Sequence, residues 1–133
     1  MKNIFFTIAL LVSFSNFGQQ IESFKKKTKS NKQERTLILD ILRASLYQDY
    51  KQEFIFVVNT LNVSSQYAWF QGTAERKDRR EVLTDNGDDC CHVEGLLKRN
   101  YGKWYIVELE AFSTDMWWNE LWDDYNVPRA LFN

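Results

Sequence analysis

Polar and apolar positions divide the chain into stretches of different period. Over residues 34–46 apolar side chains fall at 38, 41, 42 and 46, the spacing of one helical face. Ser30 or Asn31, with Gln33 or Glu34 three residues on, offers a capping box at its start, so the pattern predicts a helix there. Four runs rich in β-branched and aromatic residues follow at 53–63, 67–76, 91–99 and 103–112, and they read as strands. Ser64-Ser65-Gln66 makes a short reversal, and Asn100-Tyr101-Gly102 supplies a glycine for a tight hairpin. A long polar loop, 77–90, separates the second strand from the third. One helix ahead of an antiparallel meander can bury its apolar stripe on one sheet face. The expected fold class is therefore α+β, an N-terminal helix packed on a curled four-stranded antiparallel meander, a roll. Residues 113–125 predict a short Trp-rich C-terminal helix, capped by Ser113, Thr114 or Asp115, with Trp118, Leu121, Trp122 and Tyr125 on one side. Pro128 closes it, because the residue before a proline disfavours the helical conformation.

Charge and the N-terminus add a compartment. Residues 19–32, with lysines at 25, 26, 27, 29 and 32, are too like-charged to bury much and read as a basic lead-in to a single domain over 33–133. Residues 1–18 have the order of a secretory signal peptide: Lys2, an apolar run at 4–14, then Ser15-Asn16-Phe17-Gly18. That run is too short for a bilayer span, which needs roughly 20 residues, so it reads as a cleaved leader. The expectation is export to the periplasm or beyond as a soluble domain, with no membrane span and no cysteine near the boundary to carry a lipid. Seventeen basic against 18 acidic side chains give no positive excess, which argues against nucleic acid as a partner. An aromatic share of 16% with five glycines and one proline describes a packed domain rather than a disordered one.

Several phrases together carry a resemblance: Arg35-Thr36-Leu37-Ile38-Leu39-Asp40-Ile41-Leu42-Arg43, Phe54-Ile55-Phe56-Val57-Val58, Tyr67-Ala68-Trp69-Phe70 and Gly102-Lys103-Trp104-Tyr105-Ile106-Val107-Glu108. With Ser113-Thr114-Asp115, Trp118 and the end from Pro128 to Phe132, their order resembles a family of small exported bacterial domains of unknown function. The helix-then-sheet order also resembles cystatin-like and ketosteroid-isomerase-like rolls. That second likeness implies an architecture and no activity.

Three constellations are candidates for chemistry. Asp88-Asp89-Cys90-Cys91-His92 holds both cysteines and the only histidine. Cys90 and Cys91 are candidates for a vicinal disulfide in an oxidising compartment, although adjacent Cα atoms lie closer, at about 3.8 Å, than such bonds usually require. If the strand runs through them, Cys90 and His92 share a face, but zinc needs three or four ligands and no further cysteine or histidine exists to complete a set, so no metal is expected. Asp85, Asp88 and Asp89 around Gly87 lack the ligand spacing of a calcium loop and read as a solvated turn. The aromatic and acidic stretch near the C-terminus offers a ligand-binding surface at Trp117, Trp118 and Trp122, with Trp117 expected to be the exposed ring. Packing explains the same letters, since tryptophan buries a large area when a short helix docks.

A roll of this shape can enclose a cavity between helix and sheet. An isomerase- or dehydratase-like enzyme would place a proton-transfer group in it, from His92, Glu94, Glu108 or Glu110, with Tyr67 or Tyr105 as donor. A core filled by Phe54, Phe56, Trp69, Phe70 and their neighbours points instead to a non-catalytic domain that binds a protein or cell-envelope partner. That is the leading expectation, with no cofactor. A small-ligand site drawing on Tyr67, His92, Glu110 and the tryptophans is the alternative, and no nucleophile elbow or phosphate loop is present.

Overall fold

The computed structural model describes residues 20–84, 90–113 and 116–133. The expected signal peptide, the loop at 85–89 and the capping positions Thr114 and Asp115 lie outside them. The first helix is α1, Lys32–Tyr50, and it buries Ile38, Leu39, Leu42 and Leu46. The apolar spacing is thus realised, with one turn more at the C-terminal end than the pattern predicts. The capping box does not form. Asn31 occupies the N-cap position, but its side chain accepts from the Thr28 N–H at 2.8 Å and donates to the Lys26 carbonyl at 3.0 Å. Glu34 turns away to Arg99 and to the Trp104 indole.

Four long strands follow: β2 Phe54–Val63, β3 Tyr67–Arg76, β4 His92–Asn100 and β5 Lys103–Ala111. The sheet has five strands, not four, because β1, Glu22–Ser23, pairs antiparallel with Asn62 and Val63 at the end of β2. All neighbours are antiparallel in the order β1-β2-β3-β4-β5. The lead-in is therefore not a free polar leader. Phe24 is buried behind β1, its N–H bonds the Leu61 carbonyl, and Arg35 of α1 clasps the carbonyls of Phe24 and Lys25. One apolar ring and these bonds hold the segment while its lysines stay in water. Register shifts between Val58 and Thr60 and between Leu96 and Leu97 mark irregularities of the bulge kind, which bend and twist a strand. The tight turn between β4 and β5 places Tyr101 and Gly102 at φ 51° and 74°, the left-handed pair that a two-residue hairpin needs.

Each sheet face has its own core. Against α1 pack Phe54, Leu61, Val63, Ala68, Phe70, Val93, Leu97 and Trp104, which fill the middle of this layer, while an open pocket of about 420 Å³ lies at its edge between Arg43, Tyr47 and Gln48 of α1 and Glu53, Phe54 and Lys77. Gly95 sits under the helix because an added Cβ there would come within 3.0 Å of Leu42 Cδ2. On the opposite face Tyr67, Trp69 and Leu96 are covered by the C-terminal segment through Leu121, Val127 and Leu131. That segment is a 3₁₀ turn at Trp117–Glu120, a single helical turn α2 at Leu121–Asp124, and a second 3₁₀ turn at Arg129–Phe132. It is thus shorter and less regular than the expected helix, and it roofs a sheet face. Among the described residues no helix is long and apolar enough to cross a membrane.

Candidate functional site

The chemistry-bearing residues gather on the face away from α1. Strand alternation and register put them there: Gln71 on β3 lies opposite Glu94 on β4, Glu94 opposite Glu110 on β5, Leu96 opposite Glu108, and Lys98 opposite Tyr105. Tyr67 and Trp69 share this face with Leu96. The expectation of a proton-transfer group in a cavity between helix and sheet is overturned on this point. His92, Glu94, Glu108, Glu110, Tyr67 and Tyr105 all lie beyond the sheet from the helix. Trp69 also leaves the helix-side core where it was expected, for the same reason of alternation against Ala68 and Phe70.

Glu94 is the centre of the cluster. It is 2% exposed, and the Trp117 indole N–H donates to its Oε2 at 2.7 Å. His92 Nε2 lies 3.0 Å from its Oε1, and the Gln71 side chain adds a further hydrogen bond. Burial pushes the Glu94 carboxyl above its ordinary value, and the bonds from Trp117, His92 and Gln71 pull the other way without cancelling the shift. A buried carboxylate survives when its lone pairs are met, and here three side chains meet them. Trp117 is therefore a half-buried, hydrogen-bonded ring, not the exposed platform expected of it.

The other rings pack in series. Trp69, fully buried, lies 5.9 Å from the rings of Trp117 and Trp118 and 4.8 Å from Phe132. Trp122 packs on Phe132 at 5.7 Å, with the Arg129 guanidinium 5.0 Å over it. Trp104 stands apart from this cluster, on the helix side, beneath the Arg99 guanidinium. Tyr67 is buried and its hydroxyl donates to the Tyr125 carbonyl at 3.1 Å. The Tyr125 hydroxyl donates to Glu108 at 2.8 Å, which raises the tyrosine's own pKa. Of the expected ligand-binding set, then, Tyr67, Trp118 and Trp122 are spent on docking the C-terminal segment. Glu110 stays exposed at the sheet edge, and His92 is half exposed beside Glu94.

The sequence offers no sign of Asn62, which ties the C-terminal segment to the sheet. Its buried amide donates to the carbonyls of Leu131 and Asn133 at 2.9 and 2.8 Å and so pins the end of the segment to β2. A lone asparagine in a strand carries no signal of such a partner. Cys90 and Cys91 stand with their sulfurs paired ahead of β4. Because β4 begins at His92, the face shared by Cys90 and His92 does not arise, and the imidazole turns to Glu94 instead. Among the described residues no group of three or more His, Cys, Asp or Glu side chains is placed to hold a metal ion. Comparison with known proteins finds no matching family model, no matching curated protein and no matching solved structure.

Proposed function

We propose that this chain is an exported, non-catalytic domain that binds a protein or cell-envelope partner. The observation that carries the reading is the filled centre of the layer between α1 and the sheet: Ile38, Leu42, Phe70, Val93 and Leu97 have no exposed surface and occupy the space in which a roll enzyme keeps its substrate, and the pocket beside them at Arg43, Tyr47 and Phe54 is open to solvent at the edge of the layer. On the opposite face Glu94 accepts from Trp117 and Glu108 accepts from Tyr125, so these two carboxylates have a structural role in holding the C-terminal segment. Export rests on the apolar run at 4–14 behind Lys2. In this reading the sheet curls around α1 as in cystatin-like rolls, with the irregularities in β2 and β5 supplying the bend. Native mass spectrometry of the chain isolated from its own envelope fraction tests the proposal. A stoichiometric complex with one protein or envelope polymer is the expected result. A small molecule carried inside the fold, or turnover by the isolated chain of a carbonyl substrate with an acidic α-hydrogen, would overturn it.

One observation favours the isomerase-like alternative, the raised pKa of Glu94 beside a half-exposed histidine. That chemistry would require Trp117 to leave Glu94. A ligand that quenches or shifts tryptophan fluorescence and is lost in Glu94→Gln would favour this second reading over the first.

A further inference from the structure

The two outer edges of the sheet are unlike. β5 carries Lys103, Glu108 and Glu110 and an irregular register near Val107, the features by which edge strands resist pairing. The opposite edge is β2, and β1 reaches only its last residues, Asn62 and Val63. Among the described residues nothing pairs with the outer side of Phe54-Ile55-Phe56-Val57-Val58, a run with no charge, proline or glycine and a high strand propensity. The direction of its backbone groups follows from the register. Lys77 donates to the Glu53 carbonyl at 2.9 Å, so Glu53, Ile55 and Val57 turn their N–H and C=O groups to β3, and Phe54, Phe56 and Val58 turn theirs outward. On the face away from α1, Ile55 and Val57 are 45% and 49% exposed, and beside the strand Tyr47 of α1 is 49% exposed.

We propose that this edge docks a second copy of the same chain, β2 against β2 antiparallel about a two-fold axis at Phe56. The register is self-complementary. Phe54 falls opposite Val58 of the second copy and Phe56 opposite Phe56 as hydrogen-bonded pairs. Ile55 falls opposite Val57 as the close pair between them, an apolar match of the kind that stabilises sheets. Glu53 falls opposite Asn59, so no two like charges face one another along the strand. Arg43, whose guanidinium lies 5.5 Å over the Phe56 ring, is already paired with Asp40 at 2.7 Å. A second copy suits the edge better than a charged foreign strand, since the run offers nothing for a charge to meet. The irregularity between Val58 and Thr60 ends the flat edge after five residues, and the register centred on Phe56 is the one that pairs all five. Five residues a side bury less than the roughly 1,200 Å² at which stable complexes begin, so the dimer is a weak, reversible one.

Sedimentation velocity of the purified chain over a hundredfold range of concentration reads the association. The weight-average mass should climb from monomer towards dimer, and Val57→Lys, at an exposed position that leaves the core intact, should stay monomeric with an unchanged circular dichroism spectrum. Hydrogen exchange supplies a second, residue-level readout. The amides of Phe54, Phe56 and Val58 should gain protection as concentration rises, while those of Ile55 and Val57, already bonded to β3, should not change. A monomer across the whole range, a dimer that survives Val57→Lys, protection that appears on β5, or protection of β2 only by a different protein would each overturn the proposal. The proposal stands whether or not a further partner binds elsewhere.

Discussion

Replacing Glu94 separates what its carboxylate does for packing from what it costs to bury. Glu94→Ala removes the acceptor of the Trp117 indole N–H at 2.7 Å and the partner of His92 at 3.0 Å, and leaves the indole N–H under the C-terminal segment without its acceptor. Hydrogen bonds to a charged group contribute about 1.5–3 kcal/mol each. The burial that raises the Glu94 pKa offsets part of this. A net loss of about 2 kcal/mol follows, which for a domain of this size lowers Tm by roughly 10 °C. Glu94→Gln keeps an oxygen for Trp117 and carries no charge, so at pH 7 it should lie within about 1 kcal/mol of the parent. The pH dependence has a definite sign. A carboxyl whose pKa is raised by folding binds its proton more tightly in the folded chain than in the unfolded one. Its contribution is therefore fully present below the ordinary value of 4.5 and is lost as pH rises through the folded value. The stability of the parent relative to Glu94→Gln should fall across that window, by at most about 1.4 kcal/mol per pH unit, and then level off. Urea unfolding followed by tryptophan fluorescence between pH 4 and 8 measures it. His92 Nε2 lies 3.0 Å from the Glu94 carboxyl, so both chains are compared on a His92→Gln background, which removes that ring from the difference. A constant difference between parent and Glu94→Gln over this range, or equal losses in the Ala and Gln variants, would refute the assignment of Glu94 as a buried acceptor whose pKa is raised by folding.

Two further substitutions test how the sheet is assembled. A Cβ at Gly72 would lie 2.6 Å from both the Phe70 ring and the Val57 carbonyl oxygen, and since that oxygen belongs to a paired strand it cannot give way. Gly72→Ala should cost about 2–3 kcal/mol in urea unfolding, and a loss under about 0.5 kcal/mol would show that the two strands sit further apart. Asn62→Ala should free residues 129–133, which carboxypeptidase would then trim faster than in the parent, with a stability loss of about 1–3 kcal/mol. Unchanged trimming would mean that Leu131 and Phe132 hold the segment by packing alone.

Local patterns and long-range pairing contributed differently to what could be read in advance. The helix was visible because Ile38, Leu42 and Leu46 repeat at its own period, and the β4–β5 hairpin because Gly102 and its neighbour meet a backbone demand within the turn itself. The capping box failed because Asn31 found nearer partners in the turn before the helix, a competition that spacing does not reveal. β1 has no signature in the sequence because two residues show no periodicity, and Phe24 among lysines looks like part of a solvated run until Leu61 and Arg35 are brought beside it.

The sequence alone determined that α1 has one apolar face, that four runs are strands, and that the C-terminal segment needs large rings to dock. These are properties of a period within one stretch of chain, set by geometry that repeats every two or 3.6 residues. Only the tertiary structure decided that the rings cover the face away from α1, that Glu94 is sealed beneath Trp117, and that the uncharged half of β2 is left as an open edge. Alternation tells a strand that its two faces differ. Which element covers each face depends on partners 20 to 70 residues away, as Glu94 with Trp117 and Asn62 with Leu131 show, and no local period encodes them.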